Sequence, residues 1–71
     1  MKWNKSKTLN HVWECPENGF LIHKWWTFIG TKENYYSCYE SLEMFDKGVN
    51  LSTENSLKDS KEFLEKWLTE H

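Results

Sequence analysis

Ile22-His23-Lys24-Trp25-Trp26-Thr27-Phe28-Ile29-Gly30 is the most apolar and most aromatic run in the chain, and the flanking segments read as elements that pair with it or pack on it. Its β-branched and aromatic residues predict a central strand, closed by the glycine. Side chains alternate along a strand, so Trp25 and Trp26 must point to opposite faces of the sheet. Helices can cover one face of a small sheet. The other face is predicted to stay open and to carry a large aromatic ring near the surface.

Upstream, residues 8–15 alternate Leu9, His11, Trp13 and Cys15 against Thr8, Asn10, Val12 and Glu14, the pattern of a half-buried strand. Pro16-Glu17-Asn18-Gly19 then supplies turn chemistry, with proline fixing φ and Asn-Gly tolerating positive φ. A two-residue and a four-residue loop give different registers, yet both place odd-numbered residues of the first strand beside even-numbered residues of the second. The expected core face is therefore Leu9, Trp13, Cys15, Phe20, Ile22, Trp26 and Phe28, with His11 and Lys24 as its polar members. Val12, His23, Trp25, Thr27 and Ile29 fall on the other face, so Trp26 is expected to be more buried than Trp25.

Downstream, residues 30–34 read as a second turn and Tyr35-Tyr36 as the start of a short third strand. Ser37-Cys38-Tyr39-Glu40 has the spacing of a capping box, and Cys38, Ser41, Leu42 and Phe45 follow at i, i+3, i+4 and i+7, predicting a helix to about Lys47 that Gly48 stops. Residues 49–55 read as a linker. Leu57, Ser60, Phe63, Leu64, Trp67 and Leu68 mark a second amphipathic helix over about 56–70, with a Glu62–Lys66 pair on its wet face. The expected fold class is α+β: a three-stranded antiparallel meander followed by two helices (β-β-β-α-α), the helices packed on one sheet face, in a single domain over 1–71 with a loose segment at 1–7.

Composition narrows the functions. At 71 residues the chain lies near the lower limit for a core without metal or disulfide help, a limit that its 17% aromatic content offsets. Two cysteines, Cys15 and Cys38, are too few for a disulfide framework. With no apolar signal-like stretch near the N-terminus and no window long enough to span a membrane, a cytoplasmic protein with free thiols and no membrane partner is expected. All nine basic residues are lysine, which removes the side chain best suited to bidentate phosphate contacts and agrees with an AT-rich genome such as that of a phage or other mobile element. The net charge of -2 is unevenly spread: residues 1–32 hold five lysines and two acids, whereas residues 33–71 hold four lysines and nine acids. A mildly basic sheet half is thus joined to an acidic helical half.

Catalytic and cofactor signatures are weak. His11, Cys15, His23, Cys38 and His71 lack the paired spacings of a metal site, the three glycines are isolated, and Glu40 and Glu43 read as a solvated face. Cys38 in the first turn of a helix could have its pKa lowered, although its place in the apolar stripe argues for a buried, inert thiol. The expectation is a non-enzymatic chain without cofactor or metal.

Two functional readings follow. The first is a protein-interaction module, an inhibitor, adaptor or accessory subunit, that docks on another protein through His23, Trp25, Thr27, Ile29, Tyr35 and Tyr36, with Glu62 and Glu65 supplying charge at the rim. A homodimer burying the same rings is the competing use of that surface. The second is nucleic-acid binding. Three strands followed by a helix are similar in architecture to the amino-terminal DNA-arm-binding domains of tyrosine integrases, a similarity with no sequence motif behind it; exposed Trp25, Tyr35 and Tyr36 beside Lys24 and Lys32 would stack bases while the lysines meet phosphates. Net acidity and the missing arginine rank it second.

Overall fold

A computed structural model describes residues 2–29 and 31–70, with the backbone alone at Phe28, Ile29, Thr31 and Lys32. The elements run β1 (Asn4–Lys5), β2 (Val12–Cys15), β3 (Phe20–Ile29), β4 (Thr31–Tyr39), α1 (Leu42–Lys47), β5 (Ser52–Glu54) and α2 (Leu57–Glu70). The strands form one antiparallel sheet in sequence order. This corrects the expected three-stranded meander followed by two helices: the sheet has five strands, and one of them lies between the helices.

The central strand is where the sequence put it, but its partner is far longer than Tyr35-Tyr36 suggested. β4 pairs with β3 from Leu21↔Tyr39 to Ile29↔Thr31. Cys38 and Ser37 therefore lie in a strand, and the capping box at Ser37 does not form. The helix instead begins at Ser41, whose Oγ accepts from the Met44 N–H. It ends as expected at Gly48, which sits in the left-handed region at φ 73°. A stripe at helical spacing and a strand alternation shared the residues Cys38 to Phe45, and pairing with a ten-residue β3 decided for the strand up to Tyr39.

The register confirms the parity of the hairpin. Trp13, Ile22 and Cys38 lie side by side, and Cys15 faces Phe20. α2 covers this face, so that Cys15, Phe20, Ile22, Cys38 and Leu64 form the buried core, flanked by Trp3, Trp13, Tyr36, Leu51, Leu57, Phe63 and Trp67. Small groups let the helix approach: Ser60 is fully buried, its hydroxyl donates to the Ser56 carbonyl at 3.0 Å, and Cys38 Sγ lies 3.8 Å from the Ser60 carbonyl. Ser56 caps α2 by accepting from the Asp59 N–H. Lys66 pairs with Glu70 at 4.0 Å in place of the expected Glu62.

The second correction concerns the layers. α1 does not join α2; it packs on the opposite face, where Phe45 meets His23 and Tyr39 edge-on at 5.6 and 5.2 Å. Val12, Leu21 and Ser37 are buried on that side as well. The N-terminal segment is also less loose than expected: Asn4 and Lys5 pair with Glu14 and Trp13, and Trp3 packs on the core. Strand β2 is short because residues 7–11 bend and turn, with His11 at φ 57°. That turn breaks the alternation, and Leu9 lines a groove with Phe20, Leu21 and Leu42 instead of continuing the Trp13 row.

Candidate functional site

The distinctive feature is the far half of the β3–β4 hairpin. β2 pairs with β3 only over Phe20–His23, with one further bond from the Lys24 N–H to the His11 carbonyl at 2.8 Å. β5 pairs with β4 only over Tyr36–Cys38. Beyond these points the sheet continues as a two-stranded ribbon over residues 25–29 and 31–35, roughly 16 Å long at the usual strand rise. The rings of Phe45 and Trp67 cover the other end of the hairpin, at His23, Tyr39 and Phe20.

This geometry overturns the expected order of the two tryptophans. Trp26 does share the face of the core, but it lies on the ribbon and is 41% exposed, whereas Trp25 is half-buried. Parity chose the right face; how far the covering helix reaches decided burial. Trp26 meets the His11 ring edge-on at 5.0 Å. Phe28, the other ring expected in the core from this segment, lies outside the described side chains.

On the opposite face Trp25 is held at several points. Its ring stacks on Tyr35, directly across the ladder, with centroids 4.6 Å apart and planes 24° from parallel. Its Nε1 donates to Ser37 Oγ at 2.8 Å. Ser37 Oγ is 3.4 Å from Thr53 Oγ1, which accepts from Asn50 Nδ2 at 2.8 Å, so a chain of polar contacts ties the indole to β5. The Tyr35 hydroxyl donates to Glu33 Oε2. That bond, first among the causes, raises the Tyr35 pKa above its ordinary value, because ionising the phenol would break a hydrogen bond to a carboxylate. The result is a preset aromatic pair with an acid at its rim.

Of the residues selected from sequence, the structure brings Trp25, Thr27 and Tyr35 together on this face, and His23 lies on it under Phe45 of α1. Tyr36 is on the opposite face, beside Trp13 at 6.1 Å. Glu62 and Glu65 are exposed on α2, across the sheet from Trp25, and do not form the expected rim. Ile29 lies outside the described side chains. Ser37 and Glu33 were missed; the signal for both was their place in a long β4, which puts them beside odd-numbered β3 residues.

Compared with protein-family models, curated proteins and solved structures, the chain matches none.

The remaining chemistry is sparse. Among the described residues, no group of three or more His, Cys, Asp or Glu could hold a metal ion, and no helix is long and apolar enough to cross a membrane. The helix-terminal thiol anticipated at Cys38 is corrected by its position inside β4. Burial pushes its pKa up to about 11, so the reactive thiolate is disfavoured. Cys15 and Cys38 are both free and buried. They lie on strands flanking β3, about 9.6 Å apart by strand spacing alone, beyond disulfide reach. Alkylation of both thiols in the native protein is expected to be slow and to speed up with denaturant; rapid stoichiometric labelling of Cys38 at neutral pH would contradict its burial.

His23 makes the fold sensitive to acid. Desolvation under Phe45, and then the nearby His11, lower its pKa below the ordinary 6.5. A depressed histidine pKa means that the folded state resists protonation more than the unfolded chain does. The contribution is therefore complete above pH 6.5 and lost as pH falls through the folded pKa. Ring-proton titration by NMR is expected to give a His23 midpoint below 6.5, and His23→Phe to flatten the decline of Tm just below that pH. An unshifted midpoint would contradict the packing of α1 on this face.

Proposed function

We propose that the chain is a non-enzymatic interaction module, acting as an inhibitor, adaptor or accessory subunit, that docks on another protein through the projecting β3–β4 ribbon. The observation that carries this reading is the fixed Trp25–Tyr35 stack on a ribbon that no third strand covers among the described residues. Tryptophan and tyrosine dominate interface hot spots because each buries much area for few rotatable bonds. Here the stack and the Nε1 bond to Ser37 have already removed most of the indole's freedom, which lowers the entropy lost on docking. Nucleic-acid stacking fits less well. The Glu33 carboxylate is fixed on the Tyr35 hydroxyl, which sets a negative charge beside the rings where a phosphate backbone would run.

The test starts with a tagged pull-down from the native cell and continues with the purified partner. One protein recovered at near-stoichiometric yield, whose reconstituted complex with the wild-type chain is lost on Trp25→Ala with the fold intact, supports the reading. Recovery of nucleic acid alone, or of a homodimer that buries Trp25, refutes it.

A further inference from the structure

We infer that the open edge of β4 at Lys32 and Asn34 receives an extended segment of the partner protein as an added antiparallel strand, with a basic side chain opposite Glu33. The inference rests on the docking reading above and specifies how the partner is held.

The edge follows from the backbone. The Cys38 carbonyl accepts from the Leu51 N–H at 2.7 Å, which shows that Cys38 directs its backbone groups toward β5. Those directions repeat every second residue along a strand, so Tyr36, Asn34 and Lys32 turn their N–H and C=O groups the same way. β5 meets Tyr36 and Cys38 but ends its pairing at Glu54, and the chain then turns into α2. Among the described residues no strand lies against Asn34 and Lys32. Two residues of edge backbone at strand spacing are matched in full only by another extended backbone. The ribbon gains from this, because two strands alone are marginal in water and a third completes a sheet. On the β3 side, the turn at His11, with its ring against Trp26, stands where such a strand would begin. On the β4 side Asn34 is exposed, and among the described residues no strand pairs with it there.

Charge selects the occupant. If two copies paired through this edge about a two-fold axis, Lys32 would bond with Asn34 of the other copy and Glu33 would sit directly opposite Glu33. Shifting the register by two residues sets Lys32 opposite Lys32 in one direction; in the other it sets Lys32 opposite Tyr36, whose edge β5 already occupies. Like charges directly across a ladder are destabilising, so the edge is poorly suited to itself. A different chain with lysine or arginine opposite Glu33, and an apolar residue two positions along against Tyr35, fits both features.

Random dodecapeptides displayed on phage and selected on the immobilised full-length chain test this. The expected peptides carry a basic residue within an alternating, proline-free run, and lose about tenfold or more in affinity for Asn34→Pro, which removes an edge N–H that β3 does not use. They should also lose affinity for Glu33→Lys, and selection on that variant should enrich acidic peptides instead. Peptides that need Trp25 but ignore both Asn34→Pro and Glu33→Lys overturn strand addition and leave the docking reading standing. Peptides that ignore Trp25→Ala but respond to the edge variants support strand addition and overturn the aromatic anchor. No enrichment, or sedimentation showing a second copy on this edge, overturns the inference.

Discussion

Replacing Ile22 by alanine is expected to destabilise the chain by about 3–4 kcal/mol. Ile22 is fully buried between Trp13 and Cys38 on the ladder, under Leu64 of α2. Its neighbours belong to three strands and a helix and cannot all relax into the space left behind, so a cavity term adds to the lost transfer energy. A domain of 71 residues has roughly 4–10 kcal/mol to lose, so the variant should give up about a third or more of its stability. Urea unfolding followed by circular dichroism checks this. A loss below about 1 kcal/mol would mean that Ile22 is not at the centre of the core.

The second large effect is on binding. Trp25→Ala should weaken the complex with the partner by about 30-fold or more, the 2 kcal/mol expected of a central aromatic anchor. It should cost the fold less than Ile22→Ala does. The stack on Tyr35 and the bond to Ser37 are lost, but Ser37 Oγ keeps its contact with Thr53, and no buried polar group is orphaned. Trp26→Ala should be mild for stability, given the exposure of that ring. Parallel titration calorimetry and thermal unfolding of the two variants separate these roles. Equal binding by wild type and Trp25→Ala would remove the aromatic pair from the interface.

Which parts of this were legible in the sequence depended on how far each signal reached. The central strand, the turn at Asn18-Gly19, the faces of Trp13, Cys15, Phe20 and Ile22, the stop at Gly48 and the helix from Leu57 are local patterns, readable residue by residue. β1 and β5 were not, because two and three residues cannot display an alternation. β4 was misread because Cys38, Ser41, Leu42 and Phe45 do follow a helical spacing, and only the length of its partner β3 shows that the strand continues through Tyr39. The site was half legible for the same reason. Trp25 and Thr27 were found by parity, whereas Tyr35 was named only together with Tyr36, because the length of the preceding loop left their register open. Burial of Trp26 was overestimated because periodicity gives the direction of a side chain, whereas coverage depends on where α2 ends. Glu62 and Glu65 were expected at the rim of the aromatic face from their charge alone, but α2 covers the core face, so its exposed acids lie across the sheet from Trp25.

Amide hydrogen exchange on the free chain and on its complex with the purified partner tests the docking surface most directly, because it reports every backbone N–H at once. Slowed exchange concentrated in residues 24–36, with Asn34 among the protected amides and the α2 amides unchanged, is the predicted result. Protection concentrated on 57–70, with the ribbon exchanging as in the free chain, would contradict it and place the interface on the acidic helix instead.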